Sequence, residues 1–215
     1  MADQKNETPS PVGTCVRPPN GPNSEYFPNV PVTTHENRRA LFYDDLLRGK
    51  TVLIQFMSIK DDDTYRFTAN IAKVQEFLGD RLGKDVFIYS ITTDPEHDRP
   101  RELAAFAEKH GARDGWLFLT GKPTVMQKLH GSLFARGADA GGHEHAAGPM
   151  EDCSVGLIRY GNEAAGTWGS VPANTDPEWI AKRVAWVESR EVPTGPFKRR
   201  GPAPLPAATN QGELQ

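Results

Sequence analysis

Two groups of side chains in this sequence carry enough donors to bind or react. The first is Asp61, Asp62 and Asp63, flanked by Lys60 and Thr64, shortly after the apolar run TVLIQFM. Carboxylates are hard oxygen donors suited to Ca²⁺ or Mg²⁺. Three consecutive residues cannot all turn toward one ion on an ordinary backbone, and the glycine and distal glutamate of a calcium loop are missing. We therefore read the aspartates as a solvated acidic loop in which Lys60 screens charge. The second group lies in GGHEHAAGPMEDCSVG, which gathers His143, His145, Met150 and Cys153 in a Gly-rich stretch. Imidazole, thioether and thiolate are copper ligands, and thiolate with imidazole also suits zinc. No spacing there matches a tight metal motif, and ordering such a loop around an ion costs entropy. An exposed loop with incidental histidines is the plainer reading.

Other reactive residue types are scattered. His97, His110 and His130 read as surface or helix-end residues, and His35 has no visible role. Trp116, Trp168, Trp179 and Trp186 read as core or half-buried packing. No Ser–His–Asp arrangement or phosphate loop is present, and GNEAAG lacks the strand-to-helix setting of a dinucleotide site. The only cysteines are Cys15 and Cys153, which excludes a disulfide framework. They read as separate thiols, with a single bridge holding down the N-terminal arm as the alternative.

The chain that must position these groups has 215 residues, enough for one core domain. With 25 basic and 28 acidic residues it lacks the basic surplus of a nucleic-acid binder. No apolar run approaches the ~20 residues of a membrane span, and the N-terminus as written has no signal-peptide pattern. Composition divides the chain into an extended N-terminal arm (1–25), a core domain (26–190) and a Pro-rich tail (191–215).

Within the core, TVLIQFM, DVFIYSIT and GWLFLTG read as buried strands. A helix follows the first, with Ile71, Val74, Phe77 and Leu78 at helical spacing. A second begins at DRPRELAAFAEKH with Asp98 as cap and Pro100 in the first turn. KPTVMQKLHG is a short helix closed by Gly131. CSVGLIRYGNEAAGTWG predicts a hairpin turning at YGNE, and TDPEWIAKRVAWV a final helix capped by Asp176. Two β-α-β crossovers, a hairpin and a last helix predict an α/β fold: a thioredoxin-like mixed sheet flanked by helices, with an insertion before the hairpin.

The segments YFPNVPVTTHENRRALFYDDLLRGKTVLIQFM, SITTDPEHDRPRELAAFAEKHG, WLFLTGKP and GLIRYGNEAAGTW resemble the Sco (SenC-type) proteins of the thioredoxin superfamily, from about Tyr26 to Val187. The resemblance implies copper bound by a C-x-x-x-C pair after the first central strand and by a histidine before the late hairpin. It also implies a role in metallating cytochrome oxidase or in thiol–disulfide reduction of a copper site, on the outer side of a membrane. The sequence departs from that pattern. Ile59 or Lys60 and Thr64 stand near the expected cysteines, and Ser154 stands where the histidine is expected.

The reading that follows is a redox-inactive, non-enzymatic Sco-like domain with no resident cofactor. It would serve as an accessory or assembly subunit of a copper or haem oxidoreductase, with its arms on the partner. The alternative is a copper-delivery protein whose site has moved to His143, His145, Cys153 and Met150. A thiol peroxidase is set aside, since no cysteine opens the first core helix. Location is extracytoplasmic by resemblance and cytoplasmic as the alternative.

Overall fold

The computed structural model describes residues 21–134 and 156–188. They form a seven-stranded sheet in the order β2-β1-β5-β4-β3-β6-β7. Its strands are β1 (Pro31–Thr34), β2 (Arg39–Leu41), β3 (Thr51–Met57), β4 (Val86–Thr92), β5 (Trp116–Thr120), β6 (Leu157–Asn162) and β7 (Thr167–Pro172). β3, β4 and β5 run parallel to one another, while the β6–β7 hairpin joins β3 antiparallel and the β1–β2 hairpin joins β5 antiparallel. The helices are α1 (Ile59–Tyr65), α2 (Phe67–Leu78), α3 (Pro100–Lys109), α4 (Pro123–Phe134) and α5 (Pro177–Val187), with a π-helical turn at Phe42–Leu47.

Side-chain alternation along the central strands builds two cores. Leu53, Met57, Ile88, Trp116 and Phe118 meet α2, α3 and α5 on one face. Val52, Ile54, Phe56, Tyr89, Ile91 and Leu119 meet the π-helical turn and α4 on the other. All seven residues of β3 are buried, as expected of a strand covered on both sides. The fold is therefore the thioredoxin-like mixed sheet that the alternating pattern predicted, with the β1–β2 hairpin as an unforeseen extension. Those two strands are three and four residues long, too short for periodicity to register.

Several local expectations are corrected. Phe77 is 55% exposed, and Thr68 and Gln75 join Ile71, Val74 and Leu78 on the buried face of α2. α4 continues through Gly131 to Phe134. Asp98 does not cap α3, whose N-cap is Arg99 without a side-chain bond. Trp179 and Trp186 are exposed, whereas Trp116 is buried. Asp176 does cap α5, accepting from the Glu178 and Trp179 amides.

The β6–β7 turn falls three residues later than the expected YGNE, at 163–166, because β6 continues through Asn162; within the hairpin, glycines stand opposite aromatic rings. Gly161 pairs with Trp168, and Tyr160 with Gly169. A Cβ at Gly161 would lie 2.2 Å from the Trp168 ring, and one at Gly169 would lie 2.7 Å from the Tyr160 ring. The turn delivers Glu163 to a fully buried position. Its Oε1 accepts from the Asn23 amide and the Tyr43 hydroxyl, each at 2.9 Å. Oε2 accepts from Asn23 Nδ2 at 3.0 Å and from Trp168 Nε1 at 3.1 Å. Asn23, placed by composition in the N-terminal arm, is thus held to the hairpin.

These four donors share one carboxylate, so Glu163→Ala removes four hydrogen bonds that join three segments. We expect it to cost about 3 kcal/mol, and Asn23→Ala about 1 kcal/mol. Urea unfolding should show both as lower midpoints with unchanged slope.

Candidate functional site

The parallel strands β3 and β4 end side by side at Met57 and Thr92, where ligand crevices form in open α/β sheets. Two crevices flank these ends. One, of about 690 Å³, lies toward α3 and is lined by Ile59, Lys60, Asp94, His97, Asp98, Glu102 and Phe106, among others. The other, of about 320 Å³, lies toward α4 and is lined chiefly by Phe56, Thr92, Thr93, Met126 and His130.

The expected acidic loop is a helix, and this corrects the earlier reading. α1 starts immediately after Ser58 and stops at Arg66, whose left-handed backbone (φ 54°) separates it from α2. Successive residues of a helix diverge by about 100°, so the three aspartates point to three different places. Asp61 turns back and accepts from the Ser58 hydroxyl at 2.5 Å. Asp62 is buried, accepts from the Thr68 amide at 3.2 Å, and lies 3.3 Å from His110 Nε2. Asp63 points outward, 3.7 Å from Lys109 Nζ. Thr64 is exposed. Among the described residues no three His, Cys, Asp or Glu side chains converge as a metal site requires.

Lys60 leans across the crevice mouth to Asp94, 3.1 Å away. That hydrogen bond raises the Lys60 pKa, and bonds from His97 and then Lys60 lower that of Asp94. His97 Nδ1 sits 2.8 Å from Asp94 Oδ1. The pair is solvated, so its contribution to stability is small.

Below this rim is Asp98, which sequence reasoning assigned to the wrong helix. Its Oδ2 accepts from the Thr92 hydroxyl at 2.5 Å and from the Ile59 amide at 3.2 Å. It therefore satisfies the first turn of α1, whose N-cap Ser58 makes no side-chain cap bond, and joins that turn to the end of β4. Burial pushes the Asp98 carboxyl up, and the Thr92 and Ile59 bonds oppose that shift in part. The only sequence sign of this role was an aspartate in DPEHDRP, a motif also consistent with an ordinary cap.

His110 is likewise more than a helix-end residue. Its ring packs on Phe106 with centroids 4.5 Å apart, and burial lowers its pKa against the opposing pull of Asp62. Its Nε2 makes no hydrogen bond despite the nearness of Asp62. His35, without visible role in the sequence, accepts from the Phe118 amide at 3.2 Å and ties β1 to β5. His143, His145, Met150, Cys153 and Ser154 lie outside the described residues, as do Cys15 and most of both arms.

The site thus presents ammonium groups, carboxyls and imidazoles, and its hydroxyls on Ser58 and Thr92 are engaged by carboxylates. Every cysteine of the chain falls outside the described residues. Among the described residues no helix is long and apolar enough to cross a membrane.

A family model described as SCO1/SenC matches residues 39–186. No curated protein matches the sequence. Among solved structures, a SCO1/SenC family lipoprotein from Bacillus anthracis is 20% identical, with a TM-score of 0.55 over 75% of this chain and 94% of its own. ScoI from Bradyrhizobium japonicum, solved with copper bound, is also 20% identical, with a TM-score of 0.54 over 75% of this chain and 99% of its own. A putative electron transfer protein from Aquifex aeolicus is 15% identical, with a TM-score of 0.53 over 74% and 94%.

The His110 environment sets a pH dependence. Its folded pKa lies below the unfolded value, so its contribution is intact above about pH 6.5 and is lost as pH falls through the folded pKa. Stability should therefore decline below that point, and His110→Gln should flatten part of the decline while leaving the part due to half-buried His35, whose pKa is also lowered. Asp98, with its raised pKa, acts in the opposite sense: the fold gains as pH falls through that carboxyl's range. Urea midpoints measured across this range check both signs.

Proposed function

The chain belongs to the SCO1/SenC family, and from that premise we propose a Sco-like domain that has given up thiol and copper chemistry at the strand end. It acts instead as an accessory or assembly subunit of an oxidoreductase complex. The observation that carries this reading is α1. Where the family resemblance implies a C-x-x-x-C pair, this helix carries Lys60 paired to Asp94, Asp62 buried toward His110, and an exposed Thr64.

That donor set does not fit copper. Cu(I) selects soft thiolate and thioether ligands, whereas ammonium and carboxylate groups suit ion pairing or hard cations. We derive no copper or disulfide step at this site. What supports retention as a scaffold is the intact framework around it: both cores, the parallel strand ends and the buried Asp98 clamp are in place. Both arms are proline-rich in composition, a composition suited to wrapping a partner surface at little cost in pre-existing structure. An extracytoplasmic setting accords with the B. anthracis relative, a lipoprotein.

Competition of the reduced full chain with a chromogenic chelator for Cu(I) tests this. The wild type should take up no stoichiometric copper, and Lys60→Cys with Thr64→Cys should gain it. Tight wild-type binding abolished by Cys153→Ser would overturn the reading and put a copper site in the stretch from His143 to Cys153.

A further inference from the structure

β7 is the last strand on its side of the sheet, and among the described residues no strand pairs with its outer edge. An open edge presents a row of unpaired amides and carbonyls that another extended backbone satisfies. Such edges are normally blunted by shortness, charge or proline. The opposite edge follows that rule, since β2 is three residues long and begins with Arg39. β7 does not. Its sequence, TWGSVP, is six residues long and uncharged, and its one proline is the last residue.

α5 adds a second surface beside this edge. The helix follows a tight turn, closed by the Thr175 amide donating to the Pro172 carbonyl at 3.0 Å, and packs over β3, β6 and β7. Ile180, Val184 and Val187 point into the core. One flank of the helix turns toward α2, where Ala181 packs on the core and Glu188 pairs with Arg81 just beyond the end of α2. Successive residues turn by about 100°, which puts Trp179 and Trp186 on the other flank, toward β7. They are 54% and 58% exposed. Lys182, held by Glu178 at 2.8 Å, lies 5.5 Å from the Trp179 ring, and Arg183 lies 3.9 Å over that of Trp186. The indoles are thereby held in place, with the neighbouring cations already engaged.

We infer that β7 is a two-fold interface, at which a second copy of this chain adds its own β7 in antiparallel register about Gly169. Directly opposed residues of antiparallel strands share a face, so a two-fold axis normal to the sheet must pass through a residue. Through Gly169 it sets Trp168 opposite the partner's Ser170 and Thr167 opposite the partner's Val171. Pro172, which has no amide, then stays outside the ladder. The same axis suits α5. Gly169 stands roughly 10 Å back along the strand from Pro172, and the midpoint of the two tryptophans stands roughly 8 Å along the helix from Pro177. The axis therefore passes between the indoles and brings those of the two copies together. At 54% and 58% exposure, four indoles bury roughly 550 Å², about a third of a standard interface, and the ladder and its neighbours add to this. A strand from another protein satisfies the ladder but brings no matching surface to the tryptophans, whereas a second copy does both. Dimerisation through β7 does not depend on the copper chemistry. Because the paired strands run antiparallel, the two strand-end crevices open in opposite directions.

The test is sedimentation velocity of the full chain from about 1 to 100 µM, with amide exchange of β7 followed at both ends of the range. The wild type should pass from monomer to dimer, and β7 should gain protection as it does. Thr167→Lys sets an ammonium opposite the partner's Val171, and Trp179→Ser with Trp186→Ser removes the indoles. Each variant should weaken dimerisation by about tenfold or more. Both alter exposed residues, on different elements, so a folding fault in one leaves the other to decide. A chain that stays monomeric throughout would overturn the inference; slow exchange of β7 in that monomer would assign the edge to another segment of the same chain. Dimerisation that leaves β7 exchange unchanged, or that survives both variants, would also overturn it and place the contact elsewhere.

Discussion

The central strand β3 is held at both ends by buried carboxyl groups, Glu163 and Asp98, whose hydrogen bonds among the described residues come from neutral donors. At its start, the Glu163 amide donates to the Lys50 carbonyl at 3.0 Å, and the Glu163 side chain gathers donors from the N-terminal segment, the π-helical turn and β7. At its end, Asp98 grips the first turn of α1 and the last residue of β4. A carboxyl group taken from water must be repaid by hydrogen bonds, and here the repayment comes from segments far apart in sequence. Each carboxyl therefore enforces long-range closure, and the strand between them can be uniformly apolar because its ends are fixed by other residues.

The two ends differ in consequence. At the Glu163 end everything is internal, and the outcome is architecture. At the Asp98 end the clamp lies under an open crevice, so the same device sets the geometry of a surface. Lys60, Asp94 and His97 form a rim that solvent can reach, while Asp62 and His110 meet beneath it, with burial favouring the neutral imidazole. α1 ties the end of β4, the start of α2 and the end of α3 together.

The sheet was legible in the sequence because its strands are runs of β-branched and aromatic residues seven or five long, and because turn residues separate them. The β1–β2 hairpin was not, since PVTT and RAL are too short and too polar to show a period. The acidic segment was misread for a different reason. Three aspartates in a row suggest solvent, and only tertiary packing reveals that the middle one faces inward toward His110. Asp98 and Glu163 share this difficulty. A buried carboxyl is invisible to composition when its donors come from residues 39 and 140 positions away. That no cysteine stands between Met57 and Thr68, by contrast, is read directly from the sequence.

The charge on α1 has a consequence for how this surface is presented to others. Among the described residues, the strand-end rim is built of Lys60, Asp94 and His97, so a partner that docks there meets it chiefly through Coulombic contacts, which fall off within the screening length of the medium. The potential of the face follows acidity and ionic strength, and whatever binds it is held more tightly in dilute salt than in concentrated salt.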